Sequence, residues 1–92
     1  MLHQNFRSYQ LAVNLYRECK ELCVKGSVPS TIKDQLLRAS SSVALNLSEG
    51  SAKPTLKDRQ RYYSIAFASL REVQSIIDLE HATLNPLAQS ED

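Results

Sequence analysis

The scarcity and placement of helix-breaking residues constrain this fold more than any other feature of the sequence. The chain has two glycines and three prolines, which fall at three places: Gly26 and Pro29, Gly50 and Pro54, and Pro86. A many-stranded sheet needs more turns than these residues provide, whereas three long uninterrupted segments suit helices. The sequence therefore predicts an all-α fold. The predicted helices cover about residues 5–25, 31–49 and 56–83, followed by a tail at 84–92.

Length and composition predict one small helical domain covering residues 1–92. With 92 residues, of which 42% are hydrophobic, the chain can bury a hydrophobic core. The segments between the predicted helices are short, and short connections make successive helices antiparallel neighbours. We therefore expect an antiparallel, up-and-down helical bundle.

The first predicted helix is apolar on two sides. One stripe, at heptad-like spacing, consists of Phe6, Tyr9, Val13, Tyr16 and Cys23, and the other consists of Leu11, Leu15 and Leu22. A helix with two apolar sides is normally buried on both of them. Because large apolar surfaces are rarely left in water, we expect the chain to associate with copies of itself.

The second predicted helix combines a regular apolar face with an unusual set of polar residues. The apolar positions are Ile32, Leu36, Ala39, Val43, Leu47 and Gly50, spaced by three and four residues. The polar positions beside them are Gln35, Arg38, Ser42, Asn46 and Glu49. Arg38 and Glu49 lie about 16 Å apart along a helix, so they cannot act together on a substrate.

We interpret the polar residues of the second helix, called the polar series, as packing residues rather than as a catalytic site. A charged group at a packed surface is costly unless it is paired and hydrogen-bonded. We expect the polar series, together with Glu72 of the third helix, to fix the register of helices or subunits. The alternative is that Arg38, Asn46, Glu49 and Glu72 are merely solvated.

A cluster of basic residues begins the third predicted helix. The cations are Lys53, Lys57, Arg59 and Arg61, and Tyr62 and Tyr63 follow them. Cations contact phosphates and aromatic rings stack on exposed bases, so this cluster is a candidate nucleic-acid-binding patch. The alternative is a solvated basic face with Tyr62 in the core. The net charge of the chain is only +1, far from that of a dedicated nucleic-acid binder.

Other classes of function lack support in the sequence. The histidines and cysteines do not have metal-ligand spacing, the serines at 40–42 have no base in a recognisable motif, and no glycine-rich phosphate loop is present. We expect no catalytic residues, no metal, no cofactor and no small-molecule substrate. The N-terminus is not a signal peptide and no apolar run is long enough to span a bilayer. Cys19 and Cys23 are typical of packing residues in a reducing compartment, so we expect a cytoplasmic protein.

Two separated segments resemble a known family. Gln35, Arg38-Ala39, Ser42, Asn46 and Glu49-Gly50, followed by RYYSIAFASLREVQSII in the third helix, are similar to the signature of small bacterial four-helix bundle proteins. That family includes the proteins encoded within intervening sequences of large-subunit ribosomal RNA genes, and it is similar to the accessory variability protein of diversity-generating retroelements. The resemblance implies an antiparallel bundle that forms a ring, a homopentamer, without enzyme activity. It also implies RNA, DNA or a nucleic-acid-processing protein as a partner.

The sequence departs from that family in two respects. We expect the fourth helix to be missing or vestigial, because Asn85-Pro86 is predicted to end the third helix and the last residues are too few for another long one. The strong positive charge of nucleic-acid-binding members is also missing. The leading hypothesis is therefore an oligomeric interaction scaffold. The alternatives are a nucleic-acid-binding accessory protein that uses the basic cluster, and a structural remnant without a ligand.

Overall fold

The structure, a computed structural model, describes residues 3–26 and 28–84, with side chains from Phe6 to Gly26 and from Val28 to Ala82. These residues form three helices and no strand, which confirms the all-α prediction for this part of the chain. The helices are α1 (His3–Lys25), α2 (Ser30–Ser51) and α3 (Leu56–Leu84). The predicted tail lies outside the described residues except for Leu84, and the expectation of a missing or vestigial fourth helix concerns residues 85–92, which also lie outside them.

Local hydrogen bonds explain where the helices end and begin. The N–H of Gly26 donates to the carbonyl oxygen of Leu22 at 2.8 Å and completes the last turn of α1. At the start of α3, the hydroxyl oxygen of Thr55 accepts a hydrogen bond from the N–H of Asp58 at 3.2 Å. This bond satisfies one of the backbone donors that a helix N-terminus leaves without an intrahelical partner.

The central helix of the arrangement is α2, which packs against both α1 and α3. Polar contacts give the direction of the α2–α3 packing, since Arg38 of α2 meets Glu72 and Ser42, further along α2, meets Ser69, earlier in α3. The two helices are therefore antiparallel. Among the described residues, no Cα atom of α1 comes within 8 Å of a Cα atom of α3. The backbones of the two outer helices therefore stay apart, and both helices pack on α2.

The hydrophobic core lies where the C-terminal part of α1 meets the other two helices. It consists of Cys19, Cys23, Leu36, Ala39, Val73 and Ile76. Burial raises the pKa of the Cys19 thiol above its usual value of 9.0, while a hydrogen bond with Ser40 partly opposes the rise. Both cysteines are buried and neither forms a disulfide. They act here as small apolar residues in the core.

The helices α2 and α3 approach each other closely at Gly50. A Cβ atom at this position would lie 2.7 Å from Cε1 of Tyr63 and 3.0 Å from Cβ of Tyr62. Real side chains do not come this close, so only glycine allows the two helices to pack at this distance. Gly50 is itself buried.

Candidate assembly site

Polar side chains form a continuous ladder along the contact between α2 and α3. Nη2 of Arg38 donates to Oε2 of Glu72 at 2.6 Å. The hydroxyl groups of Ser42 and Ser69 are hydrogen-bonded at 2.8 Å. The Nδ2 group of Asn46 donates to the carbonyl oxygen of Ser42 at 2.9 Å and to its hydroxyl oxygen at 3.0 Å. These five residues are called the polar ladder below.

Of the six residues that the sequence singled out for polar packing, four lie in the polar ladder: Arg38, Ser42, Asn46 and Glu72. The other two are exposed on α2. Glu49 forms a 3.2 Å ion pair with Lys53, one turn further along the chain, and Gln35 lies on the open surface. The Arg38–Glu72 pair is also largely open to water, with side-chain exposures of 65% and 41%. Exposed ion pairs contribute at most about 1 kcal/mol, so the ladder has more effect on register than on stability.

A groove of about 540 Å³ opens between α1 and α3, and α2 forms its floor. Its lining residues are Ser8, Leu11, Ala12 and Leu15 of α1, Val43 and Leu47 of α2, and Tyr63, Ala66, Phe67 and Leu70 of α3. None of these residues is charged. Leu11 and Phe67 are 62% and 60% exposed, and Leu70 is 42% exposed. We call this feature the apolar groove.

The sequence interpretation included only part of the apolar groove. It placed Leu11, Leu15, Val43 and Leu47 on apolar faces of the first two helices but did not include Phe67 of the third. The signal was present, because Tyr63, Phe67 and Leu70 follow one another at spacings of four and three and so share one side of α3. That side differs from the one that carries the buried Val73 and Ile76.

The basic cluster at the turn between α2 and α3 is held by contacts within the chain. The guanidinium group of Arg59 donates to the carbonyl oxygens of Lys53 and Pro54 at 2.8 and 3.4 Å. Nζ of Lys53 and Cζ of Arg61 lie 5.0 and 5.1 Å from the ring centre of Tyr62. The Tyr62 side chain is half-buried, and its cation contacts compete with any stacking of a base on the ring.

Lys53, in the turn after α2, also contacts the end of that helix. A hydrogen bond with the Glu49 carboxylate raises the pKa of the Lys53 ammonium group above its ordinary value, and the nearby Tyr62 adds to the rise. Of the four cations, Lys53, Arg59 and Arg61 therefore have partners in the chain, and Lys57 is exposed at the start of α3. The cluster combines a structural role at the turn with a positive surface.

No group of three or more histidine, cysteine or acidic side chains is arranged to hold a metal ion in the described part of the chain. Among the helices that the structure describes, none is both long and apolar enough to cross a membrane.

The fold and the site define a class of protein: a small all-α protein in which a central helix carries two outer helices and an open apolar groove. The family model of the 23S rRNA-intervening sequence protein matches residues 4–85, and the chain belongs to this family. The match confirms the family that the residues of α2 and α3 resemble. Searches of curated proteins and of solved structures found no match.

Proposed function

We propose that this protein is a non-enzymatic cytoplasmic scaffold that assembles with copies of itself and presents a repeated surface to a protein or nucleic-acid partner. The observation that carries this proposal is the apolar groove. Ten residues without a charge line it, and three of its largest apolar side chains are exposed in the single chain. Apolar surface of this kind on a small protein marks an interaction site, because leaving it in water is unfavourable.

The polar ladder supports the same proposal in a different way. It fixes α3 against α2, and α3 provides one wall of the apolar groove. Gln35 and Glu49 are exposed on α2, where a neighbouring copy can reach them. In this proposal Arg38, Ser42, Asn46 and Glu72 hold the shape of the subunit, and Gln35 and Glu49 contribute polar contacts between subunits.

The direct test is the mass of the purified chain in solution, measured by light scattering during size-exclusion chromatography. The chain has a mass of 10.4 kDa. The homopentamer that the family resemblance implies would have about five times this mass, about 52 kDa. A stable monomer across the accessible concentration range would contradict self-assembly and with it the scaffold.

The proposed role of Glu49 in contacts between subunits can be tested separately. Replacing Glu49 with Gln removes the charge but keeps the size of the side chain, and Glu21→Gln is a matched control on the exposed side of α1. We expect E49Q to weaken the assembly, measured as the concentration at which it dissociates, while E21Q leaves it unchanged. Equal behaviour of the two variants would remove Glu49 from the assembly surface.

The second candidate function is that of a nucleic-acid-binding accessory protein. The observation in its favour is the position of four cations at one turn, where a ring of subunits would repeat the positive surface. The contacts of Lys53, Arg59 and Arg61 within the chain make Lys57 the cation most available to a phosphate.

Titration of labelled RNA and DNA at two salt concentrations tests this candidate. Counterion release predicts an affinity that falls steeply as salt rises. Binding should be reduced by Lys57→Glu and unchanged by Lys25→Glu, a matched cation at the C-terminal end of α1. Absence of binding at low salt would contradict this candidate. If the protein then assembles but binds no partner, the remaining interpretation is a structural remnant without a ligand.

A further inference from the structure

A shallow pocket, distinct from the apolar groove, lies on the outer side of α3. It is lined by Gln60, Tyr63, Ser64 and Phe67, which share one face of the helix. Tyr63 and Phe67 also line the apolar groove, but Gln60 and Ser64 do not. The groove and this pocket therefore share a wall of two aromatic rings and open on different sides of it. We call this feature the α3 pocket.

The α3 pocket combines groups that suit a nucleobase. An aromatic ring provides a surface on which a base stacks, and the Phe67 ring is 60% exposed. The exposed side chains of Gln60 and Ser64 carry an amide and a hydroxyl group, which both donate and accept hydrogen bonds. The polar edge of a base requires such groups, so the pocket offers a base a stacking surface and hydrogen-bond partners.

The segment of chain that contains the α3 pocket is strongly positive. Residues 53–71 contain five of the 11 lysines and arginines of the chain and one of its 10 acids, so the segment has a net charge of +4 in a chain of net charge +1. No acid lies between Arg59 and Arg71. Glu72, which follows this stretch, is turned toward α2, where it pairs with Arg38. The charge around the pocket is therefore complementary to an anionic ligand.

Two exposed cations bracket the α3 pocket along the helix axis. Lys57 lies about one turn before Gln60, and Arg71 lies about one turn after Phe67. Positions 57, 60, 64, 67 and 71 follow one another at spacings of three and four residues, so they share the outer face of α3. Lys57 and Arg71 are about 21 Å apart along the axis. A nucleic-acid strand that lies along this face meets a cation on each side of the base-binding groups.

We infer that the α3 pocket holds a base of single-stranded nucleic acid whose phosphates contact Lys57 and Arg71. This inference rests on the second candidate function and moves its site from the turn to the outer face of α3. At the turn, Arg59 donates to backbone carbonyl oxygens, and two other cations lie over the ring of Tyr62. A duplex keeps its bases stacked inside and an acidic peptide has none, so neither uses the aromatic wall of the pocket.

The first test separates the bases from the phosphates. The probes are a labelled single-stranded DNA of about 12 nucleotides, within the range of known single-strand sites, and an abasic strand of the same length. Fluorescence anisotropy at low salt should show that the strand with bases binds about tenfold more tightly or better, because only its bases stack on a ring. Equal affinities of the two strands would overturn the inference. Polyglutamate that displaces the DNA as well as unlabelled DNA does would also overturn it, in favour of an acidic protein partner.

Matched substitutions locate the site on the protein. Phe67→Ala removes a ring from the pocket, and Phe6→Ala removes an exposed ring from α1. Arg71→Glu and Arg17→Glu make the same change of charge on α3 and on α1. F67A and R71E should each weaken binding of the DNA about tenfold, and F67A should not affect the abasic strand. F6A and R17E should leave the affinity for DNA unchanged.

A third variant keeps the test separate from the apolar groove, which Phe67 also lines. Gln60→Ala acts in the α3 pocket alone and should also weaken binding of the DNA, while light scattering and circular dichroism show its mass and helix content unchanged. If the wild type binds DNA but F67A, Q60A and R71E bind equally well, only this inference fails. If the wild type binds no DNA at low salt, the second candidate function itself fails.

Discussion

At the scale of single residues, Gly50 shows how one missing side chain sets the distance between two helices. The position lies inside α2, where glycine is intrinsically unfavourable by about 1 kcal/mol relative to alanine. The two tyrosines of α3 occupy the space that a Cβ would need. Close packing therefore outweighs helix propensity at this residue.

Replacing Gly50 with alanine should destabilise the fold. The gain in helix propensity is about 1 kcal/mol, but overpacking against Tyr62 and Tyr63 typically costs about 1–3 kcal/mol, so the net loss should be about 1 kcal/mol. Urea denaturation followed by circular dichroism measures it. Ser48→Ala, an exposed position in the same part of α2, is the control and should leave stability unchanged or slightly raised. If G50A is as stable as the wild type or more stable, α3 moves to accommodate the added methyl group without a loss of packing free energy.

The buried Cys19 thiol predicts a dependence of stability on pH. Its folded-state pKa is raised above 9.0, so the unfolded chain releases this proton first as pH rises. The stabilisation of the folded state that comes from the protonated Cys19 thiol is therefore fully present below pH 9 and is lost as the pH rises above 9. Between pH 8 and pH 10, the free energy of unfolding should fall more in the wild type than in Cys19→Ser. The same fall in both proteins would assign the pH dependence to other groups.

At the scale of elements, α2 is the helix on which the rest of the molecule depends. It is the central helix of the described part of the chain, and it carries core residues, the floor of the groove and three residues of the polar ladder. The ladder aligns α2 and α3 through side chains rather than through the backbone. Its register could not be derived from one helix alone, because Arg38 and Glu72 are 34 positions apart in the sequence.

A double-mutant cycle measures what the Arg38–Glu72 pair contributes. Arg38→Ala, Glu72→Ala and the double variant should give a coupling energy of about 0.2–1 kcal/mol, because both side chains are substantially exposed to water. The free energies of unfolding come from urea titrations of each variant, followed by circular dichroism. A coupling well above this range would mean that the pair is more strongly desolvated than its surface position indicates.

At the scale of the whole molecule, the three helices that the structure describes form an open arrangement rather than a closed bundle. Four-helix bundles bury an apolar stripe from every helix around one core. Here the outer helices stand apart, and the surface between them stays apolar and accessible. The three described helices therefore leave apolar surface uncovered, which is the physical argument for the proposed assembly.

Salt should separate the two kinds of interaction proposed for the molecule. The apolar groove contains no charged residue, so an assembly held through it should keep its mass between about 0.05 M and about 0.5 M salt, over which exposed charges become strongly screened. Light scattering at several salt concentrations measures this. An assembly that dissociates as salt rises would be held by charged contacts instead. Nucleic-acid binding at the basic cluster would weaken over the same range.

The sequence by itself determined the all-α class, the three helices and the family. Helix ends depend on local chemistry, such as the Thr55 cap and the breaks around Gly26 and Pro54, and the apolar faces follow from the helical period. The tertiary structure alone decided that α1 and α3 stand apart, that Gly50 meets two tyrosines and that Phe67 belongs to an open groove. The physical reason is that distances between helices depend on how all side chains pack at once, whereas a helix and its faces are encoded within a few turns of the chain.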